Sequence, residues 1–152
     1  MHVPNPFPYQ GSKRNIANQI LRYFPDKTKK LIEPFAGSAA ISLASSFFSK
    51  SDSFLINDLN EPLINLWDKI INYPNEIISE YHDIWFNQLG REEEYYYEIR
   101  EKFNNTHQPE HLLFLFAKCV KASVRYNEKG EFNQSPDKRR LGRNPKLSMT
   151  IF

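Results

Sequence analysis

The sequence predicts an α/β fold that opens as a doubly wound sheet and continues as a helical region. Three observations carry this. A short apolar strand within residues 29–36 ends at Gly37 and feeds a stretch of helical spacing. A second apolar run, residues 53–56, ends at Asn57-Asp58-Leu59-Asn60 and feeds another helix. From Asn75 to Val124 the periodicity is helical, with no strand signal to interrupt it.

The elements follow in order. Residues 4–10, PNPFPYQ, hold three prolines and two aromatics and read as extended and turn-rich. SKRNIANQILRYF has Ile16, Ile20, Leu21 and Phe24 at helical spacing, with Ser12 as its N-cap and Pro25 as its stop. SAAISLASSFFS is helical, with small residues on the side nearest Gly37. Pro62 suits the first turn of a helix that runs to about Asn72. NEIISEYHDIWFNQL, EEEYYYEIREKFNN and PEHLLFLFAKCVKASV are the next three helices. RYNEKGEFN, residues 125–133, separates Tyr126 from Phe132 by polar residues and reads as a hairpin or tight loop. The last stretch, QSPDKRRLGRNPKLSMTIF, is basic and aperiodic.

Composition narrows the classes. At 152 residues the chain fits one domain, and 40% hydrophobic with 14% aromatic residues excludes a disordered tail. A single cysteine, Cys119, excludes a disulfide framework and a cysteine-rich zinc site. No apolar run approaches the length of a membrane span, and residues 1–10 lack the charged-then-apolar pattern of a secretory signal. The expectation is a soluble cytoplasmic protein with no membrane partner. The net charge of +2 hides a pattern: residues 1–30 hold six Lys/Arg and one Asp, residues 76–110 nine Asp/Glu and three Lys/Arg, and residues 121–146 eight Lys/Arg and three Asp/Glu. Two basic ends would grip a polyanion if the fold joins them; a solvated mixed surface has the same composition.

Three motifs carry chemistry. In Glu33-Pro34-Phe35-Ala36-Gly37-Ser38, a strand ends in a glycine turn and feeds a helix. Gly37 lets a ligand approach the main chain, although the pattern is not GxGxxG, so a phosphate cradle is disfavoured. An ordinary strand-to-helix turn has the same local signature. Asp58 stands at the tip of the second strand, about 20 residues on, where a carboxylate meets both hydroxyls of a ribose; it also suits a turn that caps the next helix. Together these two favour an adenosine-containing ligand. In Pro8-Tyr9-Gln10-Gly11-Ser12-Lys13, a lysine at a helix start opposes the helix dipole and calls for an anionic partner such as a carboxylate, while Tyr9 can pack on a ring or a cation. A solvated lysine and a packed tyrosine are the plain alternative. No metal is expected: His2, His82, His107 and His111 lack ligand spacing, and Pro109 separates the last two. Cys119 lies in the apolar run LLFLFAKCV and reads as core.

These motifs, in this order, resemble the amino-terminal part of the Dam-like DNA adenine methyltransferases, which open with P-Y-x-G-x-K, continue with an E-P-F-x-G-x-G-type turn, and follow with N-D-x-N. The resemblance extends through Arg125–Asn133 and Gln134-Ser135-Pro136-Asp137-Lys138-Arg139-Arg140. It implies a partial Rossmann-like S-adenosylmethionine-dependent methyltransferase fold with a helical target-recognition insertion. Residues 1–74 would form the cofactor-binding part, and residues 75–152 the recognition region with its hairpin and basic tail. Tyr9 and Lys13 would hold S-adenosylmethionine, Tyr9 near its adenine or sulfonium and Lys13 near its carboxylate. Pro34, Phe35, Gly37 and Ser38 would line the pocket, and Asp58 would bind the ribose. In double-stranded DNA, Arg125, within a segment that includes Asn127, would reach a base, and Lys138, Arg139, Arg140 and Arg143 would contact phosphates.

The family's D-P-P-Y segment, which holds the amine of a flipped adenine, is absent from these 152 residues, so no catalytic residue is assigned. Asn144-Pro145-Lys146-Leu147 is the nearest string. A two-stranded doubly wound sheet would also leave an open edge. The expectation is one subunit of a split enzyme, with a second chain carrying D-P-P-Y. The alternatives are a truncated methyltransferase or a remnant that binds DNA or cofactor without catalysis.

Overall fold

The computed structural model describes residues 3–145. These form two compact units: residues 3–5 with Gly11–Glu61, and Pro6–Gln10 with residues 62–145. The sequence divides by role at 74/75; compactness divides at Glu61/Pro62. The helix from Pro62 buries Leu63, Leu66, Trp67 and Ile70, and the Trp67 ring meets Phe7, so both segments belong to the second unit. Residues 146–152 of the expected basic tail lie outside the described residues.

The first unit is built on a strand–helix–strand repeat. Strand β1 (Leu31–Glu33) and strand β2 (Phe54–Ile56) pair in parallel, with Leu31 opposite Phe54, Ile32 opposite Leu55 and Glu33 opposite Ile56. Both strands stand where the apolar runs predict them. Two parallel strands are consistent with part of a methyltransferase sheet; by themselves they do not define a doubly wound one. Side chains alternate across a sheet, so Ile32 and Leu55 share one face, where they are 59% and 48% exposed.

The SAAISLASSFFS stretch gives the expected helix, at Ala40–Phe47, and its small residues Ala40, Ser42, Ala44 and Ser45 are the buried ones. A chain of hydroxyls ties it to the edge of the sheet: Ser45 Oγ meets Ser51 Oγ at 3.0 Å, which meets Thr28 Oγ1 at 2.7 Å.

The expected helix after Ser12 is broken. A 3-10 turn at Arg14–Ile16, a four-residue α-helix at Ala17–Ile20 (α1) and a second 3-10 turn at Leu21–Tyr23 replace it. Tertiary ties override helix propagation here. Arg14 Nη2 donates to the Val3 carbonyl at 2.9 Å, and Ala17 and Leu21 are buried in a cluster with Val3 and Ala44. The helix Ala40–Phe47 is α2 in chain order.

The second unit is helical. Helix α3 (Glu61–Asn72) runs as its proline start predicts, followed by α4 (Pro74–Asn87), α5 (Glu92–Thr106) and α6 (Pro109–Lys118). Glu92, Glu93 and Glu94 occupy the first turn of α5, where the exposed N–H groups favour negative charge. From Leu112 to Ala117 helix α6 is apolar on all sides because it is buried on all sides there, with α4 and α5 packed on it. Phe7 inserts beside it, 5.4 Å from the Phe116 ring centroid and 5.1 Å from that of Trp67.

Helical periodicity to Val124 overstates α6 by six residues. Past Lys118 the backbone leaves the helix to pair with another segment. Asp137 N–H donates to the Lys118 carbonyl at 2.8 Å, Val120 N–H donates to the Ser135 carbonyl at 3.0 Å, and Cys119 bridges Pro136 in antiparallel fashion. Cys119 is buried as expected.

Candidate functional site

Three motifs separated in sequence contribute to the first unit, the third through Gly11, Ser12 and Lys13 only. β1 runs into Gly37, whose φ of 50° suits a residue without a Cβ. β2 runs into Asp58, because parallel pairing brings both strand tips to the same end. The Asp58 carboxylate then spans the two tips: Oδ2 accepts the Gly37 N–H at 2.9 Å and Oδ1 accepts the Asn60 N–H at 3.1 Å. The backbone repeats the tie, with the Ala36 N–H on the Asn57 carbonyl at 2.8 Å. The third motif joins through a hydroxyl pair, as Ser38 Oγ donates to Ser12 Oγ at 2.7 Å.

These contacts change how two residues read. Ser12 is not a strong N-cap: its oxygen stands 3.4 Å from the Arg14 N–H, and it is engaged by Ser38 instead. Lys13 does not sit on a long helix, and a three-residue 3-10 turn carries little dipole, so the electrostatic argument for an anionic partner falls away. Its exposed ammonium donates to the Gly11 carbonyl at 2.9 Å.

Sequence reasoning missed the role of Glu33. Its Oε2 accepts the Ser42 N–H at 3.0 Å and the Ser42 hydroxyl at 2.6 Å. A strand carboxylate thus caps the start of α2, where no side chain of the helix's own cap residue does so. The positive end of that helix is already matched by this chain's own charge.

The strand tips leave acceptor oxygens and an aromatic ring exposed together. After one N–H bond each, both Asp58 oxygens keep lone pairs for a vicinal diol, and the side chain is half-exposed. Phe35, 86% exposed, offers a ring at the tip of β1, and Pro34 beside it is exposed too. Ser38 is buried with its hydroxyl engaged. Tyr9 belongs to the second unit, where its half-buried ring stands edge-on to Phe116 with centroids 5.8 Å apart.

In the second unit the RYNEKGEFN segment forms the expected hairpin loop. Tyr126 bridges Phe132, and the Asn127 amide closes the loop: Oδ1 accepts the Lys129 and Glu131 N–H groups at 3.0 and 2.9 Å, and Nδ2 donates to Glu131 Oε2 at 2.7 Å. Asn104 of α5, not singled out by the sequence, anchors the loop by exchanging two hydrogen bonds with the backbone of Phe132, at 2.8 and 3.1 Å. Arg125 stands exposed at the base of this loop.

The basic segment beyond is internally compensated. Asp137 is buried at 6% exposure, and Arg139 grips both its oxygens at 3.0 Å while Arg140 approaches at 3.5 Å. Arg139 above all holds this carboxyl down at about 2. Lys138 pairs with Glu93 at 3.0 Å. The Arg143 carbonyl accepts the Tyr81 hydroxyl at 2.8 Å. Among the described residues no His/Cys/Asp/Glu cluster has metal-ligand geometry, and no helix is long and apolar enough to cross a membrane.

Residues 9–147 match the model of the D12 class N6 adenine-specific DNA methyltransferases, and the chain belongs to that family. It is 32% identical over 129 residues to the DNA adenine methylase of Haemophilus influenzae, covering 82% of this chain and 44% of that protein. It is 32% identical over 151 residues to the DNA N-6-adenine-methyltransferase of Escherichia phage P1, covering 96% and 19%. The DNA adenine methylase of Serratia marcescens is 29% identical over 129 residues, covering 82% and 46%. The chain thus spans less than half the length of these relatives.

Proposed function

We propose that this chain supplies the S-adenosylmethionine pocket and the DNA-recognition region of a site-specific adenine methyltransferase, and that a second chain carrying D-P-P-Y completes it. The observation that carries the reading is the convergence of Ser12, Gly37, Ser38 and Asp58 at one end of the β1–β2 pair. In this reading Asp58 receives the ribose hydroxyls, Lys13 the carboxylate and Tyr9 the adenine or sulfonium end. Pro34, Phe35, Gly37 and Ser38 line the pocket, Ser38 through its backbone because its hydroxyl is engaged by Ser12. S-adenosylmethionine, when bound, supplies the methyl group. Arg125 reads a base of double-stranded DNA, and a bidentate guanidinium suits the O6 and N7 of guanine. Asn127 keeps the loop that presents Arg125. Lys138, Arg139, Arg140 and Arg143 meet phosphates, and the first three exchange their carboxylate partners for DNA. The work is that of the cytoplasm, where DNA and cofactor are at hand.

A second chain is supported by the apolar face of the sheet, where Ile32 and Leu55 lie exposed side by side. The test is native mass spectrometry of the protein purified with its flanking genes intact. Transfer of radiolabelled methyl to duplex DNA is then measured with and without the companion. A complex that alone transfers methyl supports the split enzyme. Transfer by this chain alone refutes it. Tight DNA or cofactor binding without transfer under any pairing favours a non-catalytic binding protein.

A further inference from the structure

The segment that carries Lys138, Arg139, Arg140 and Arg143 has no regular secondary structure, yet its backbone is fixed at several points. The fixing begins with Lys118, the last residue of α6, which is only 2% exposed. Its ammonium donates to Gln88 Oε1 at 2.7 Å and to the Glu92 carbonyl at 3.1 Å, and it stands 5.6 Å from the Phe114 ring centroid. Gln88, wholly buried at the end of α4, passes the constraint on, because its Nε2 donates to the Leu141 carbonyl at 2.9 Å. The Lys118 carbonyl also accepts the Asp137 N–H at 2.8 Å. Beyond Leu141, Gly142 has a φ of +85°, and a Cβ there would stand 3.2 Å from Tyr81 Oη and 3.4 Å from Ala117 Cβ, so the main chain runs close against the helices.

A buried ammonium whose hydrogen-bond acceptors are both neutral is costly, and the charge of the Glu92 carboxylate offsets only part of that cost. Burial lowers the Lys118 pKa, as that cost requires. The cost makes sense if the amine has a task that Met or Leu could not perform. We infer that Lys118 and Gln88 are positioning residues for DNA binding. Lys118 orients the Gln88 amide, and Gln88 in turn pins the Leu141 carbonyl, so the four cations are presented as one fixed array rather than on a loose tail. The inference rests on the reading of this segment as phosphate-binding. Pre-ordering the segment removes an entropy loss that each contact would otherwise carry.

The test uses Gln88→Glu and Lys118→Met in the full chain. Gln88→Glu gives Lys118 a carboxylate, so the buried amine stays satisfied, but it turns the donor facing Leu141 into an acceptor. Lys118→Met removes the amine without changing the bulk. Each variant is followed by thermal denaturation, limited trypsin digestion and duplex binding over a salt series. The expected result is cleavage after Lys138, Arg139 and Arg140 about tenfold faster with cleavage elsewhere unchanged, so that any shift in melting temperature is not a general loosening of the chain. Duplex affinity falls about tenfold, and the salt slope becomes shallower by about two, the loss of roughly two phosphate contacts. A merely structural role would move the melting temperature and leave the salt slope alone. Unchanged cleavage overturns the clamp. Faster cleavage with unchanged affinity and slope overturns the positioning role. A wild-type chain that binds no duplex refutes the functional reading instead, and the digestion still decides whether the clamp exists. If Gln88→Glu fails to fold, Lys118→Met carries the same comparison.

Discussion

Replacing Asp58 separates the two tasks its carboxylate performs. In the structure it accepts the Gly37 N–H at 2.9 Å and the Asn60 N–H at 3.1 Å. Asp58→Ala removes both acceptors from a half-exposed position, where water replaces them in part. At about 0.5–1.5 kcal/mol net per bond, the loss is about 1–3 kcal/mol. For a chain of this size that corresponds to a melting temperature lower by about 2–12 °C. The second task is the ribose. Losing a hydrogen-bonded charged partner removes about 1.5–3 kcal/mol of binding, a drop in S-adenosylmethionine affinity of at least tenfold. Asp58→Asn keeps one acceptor oxygen, so it falls between wild type and alanine in both measurements. Calorimetric titration with S-adenosylmethionine, run beside thermal denaturation, reads the two effects independently. A lowered melting temperature with undiminished affinity would leave Asp58 as a clasp between strand tips and sink the ribose assignment. An unchanged melting temperature would contradict the bridge itself.

Other expectations follow from the same geometry. Glu33→Gln weakens the cap on α2, at a cost of about 0.5–2 kcal/mol that denaturant titration reads as a lower midpoint at unchanged slope. The Asp137 carboxyl is held near 2 by Arg139 and Arg140, against an ordinary 3.8, so its contribution is fully present above about pH 4 and is lost as pH falls through 2. Acid titration of Asp137→Asn is expected to show a flatter loss of stability across that window; an identical acid limb would refute the pairing. Burial lifts the Cys119 thiol to about 11, and the residue is fully enclosed, so a disulfide reagent at pH 8 reacts with the native chain far more slowly than with the unfolded one. Arg125→Ala is expected to relax discrimination at a single base pair by about 1–3 kcal/mol, whereas Arg140→Ala weakens all duplexes alike and lowers the salt slope by about one. Equal losses on every sequence for Arg125→Ala would demote it to a phosphate contact.

What the sequence determined by itself is local. The apolar runs at 31–33 and 54–56, the helix after Gly37 and the four helices from Glu61 to Lys118 follow from spacing, because hydrogen-bond period and side-chain period are properties of a short stretch. The three motifs were legible for the same reason, and their order pointed to the family. Tertiary structure decided where local preference met a distant partner. The stretch after Ser12 has helical spacing but breaks into turns, since Arg14 is drawn to Val3 and Ser12 to Ser38. α6 stops at Lys118 although its periodicity continues, because the backbone of residues 135–137 offers pairing that the helix cannot match. Glu33, Gln88, Asn104 and Lys118 read as ordinary polar residues in the sequence; each takes its role from a distant partner, from nine positions away for Glu33 to 53 for Gln88. Spacing along a chain fixes which face a side chain shares, but not which backbone group from elsewhere will fill the hydrogen bond it leaves open.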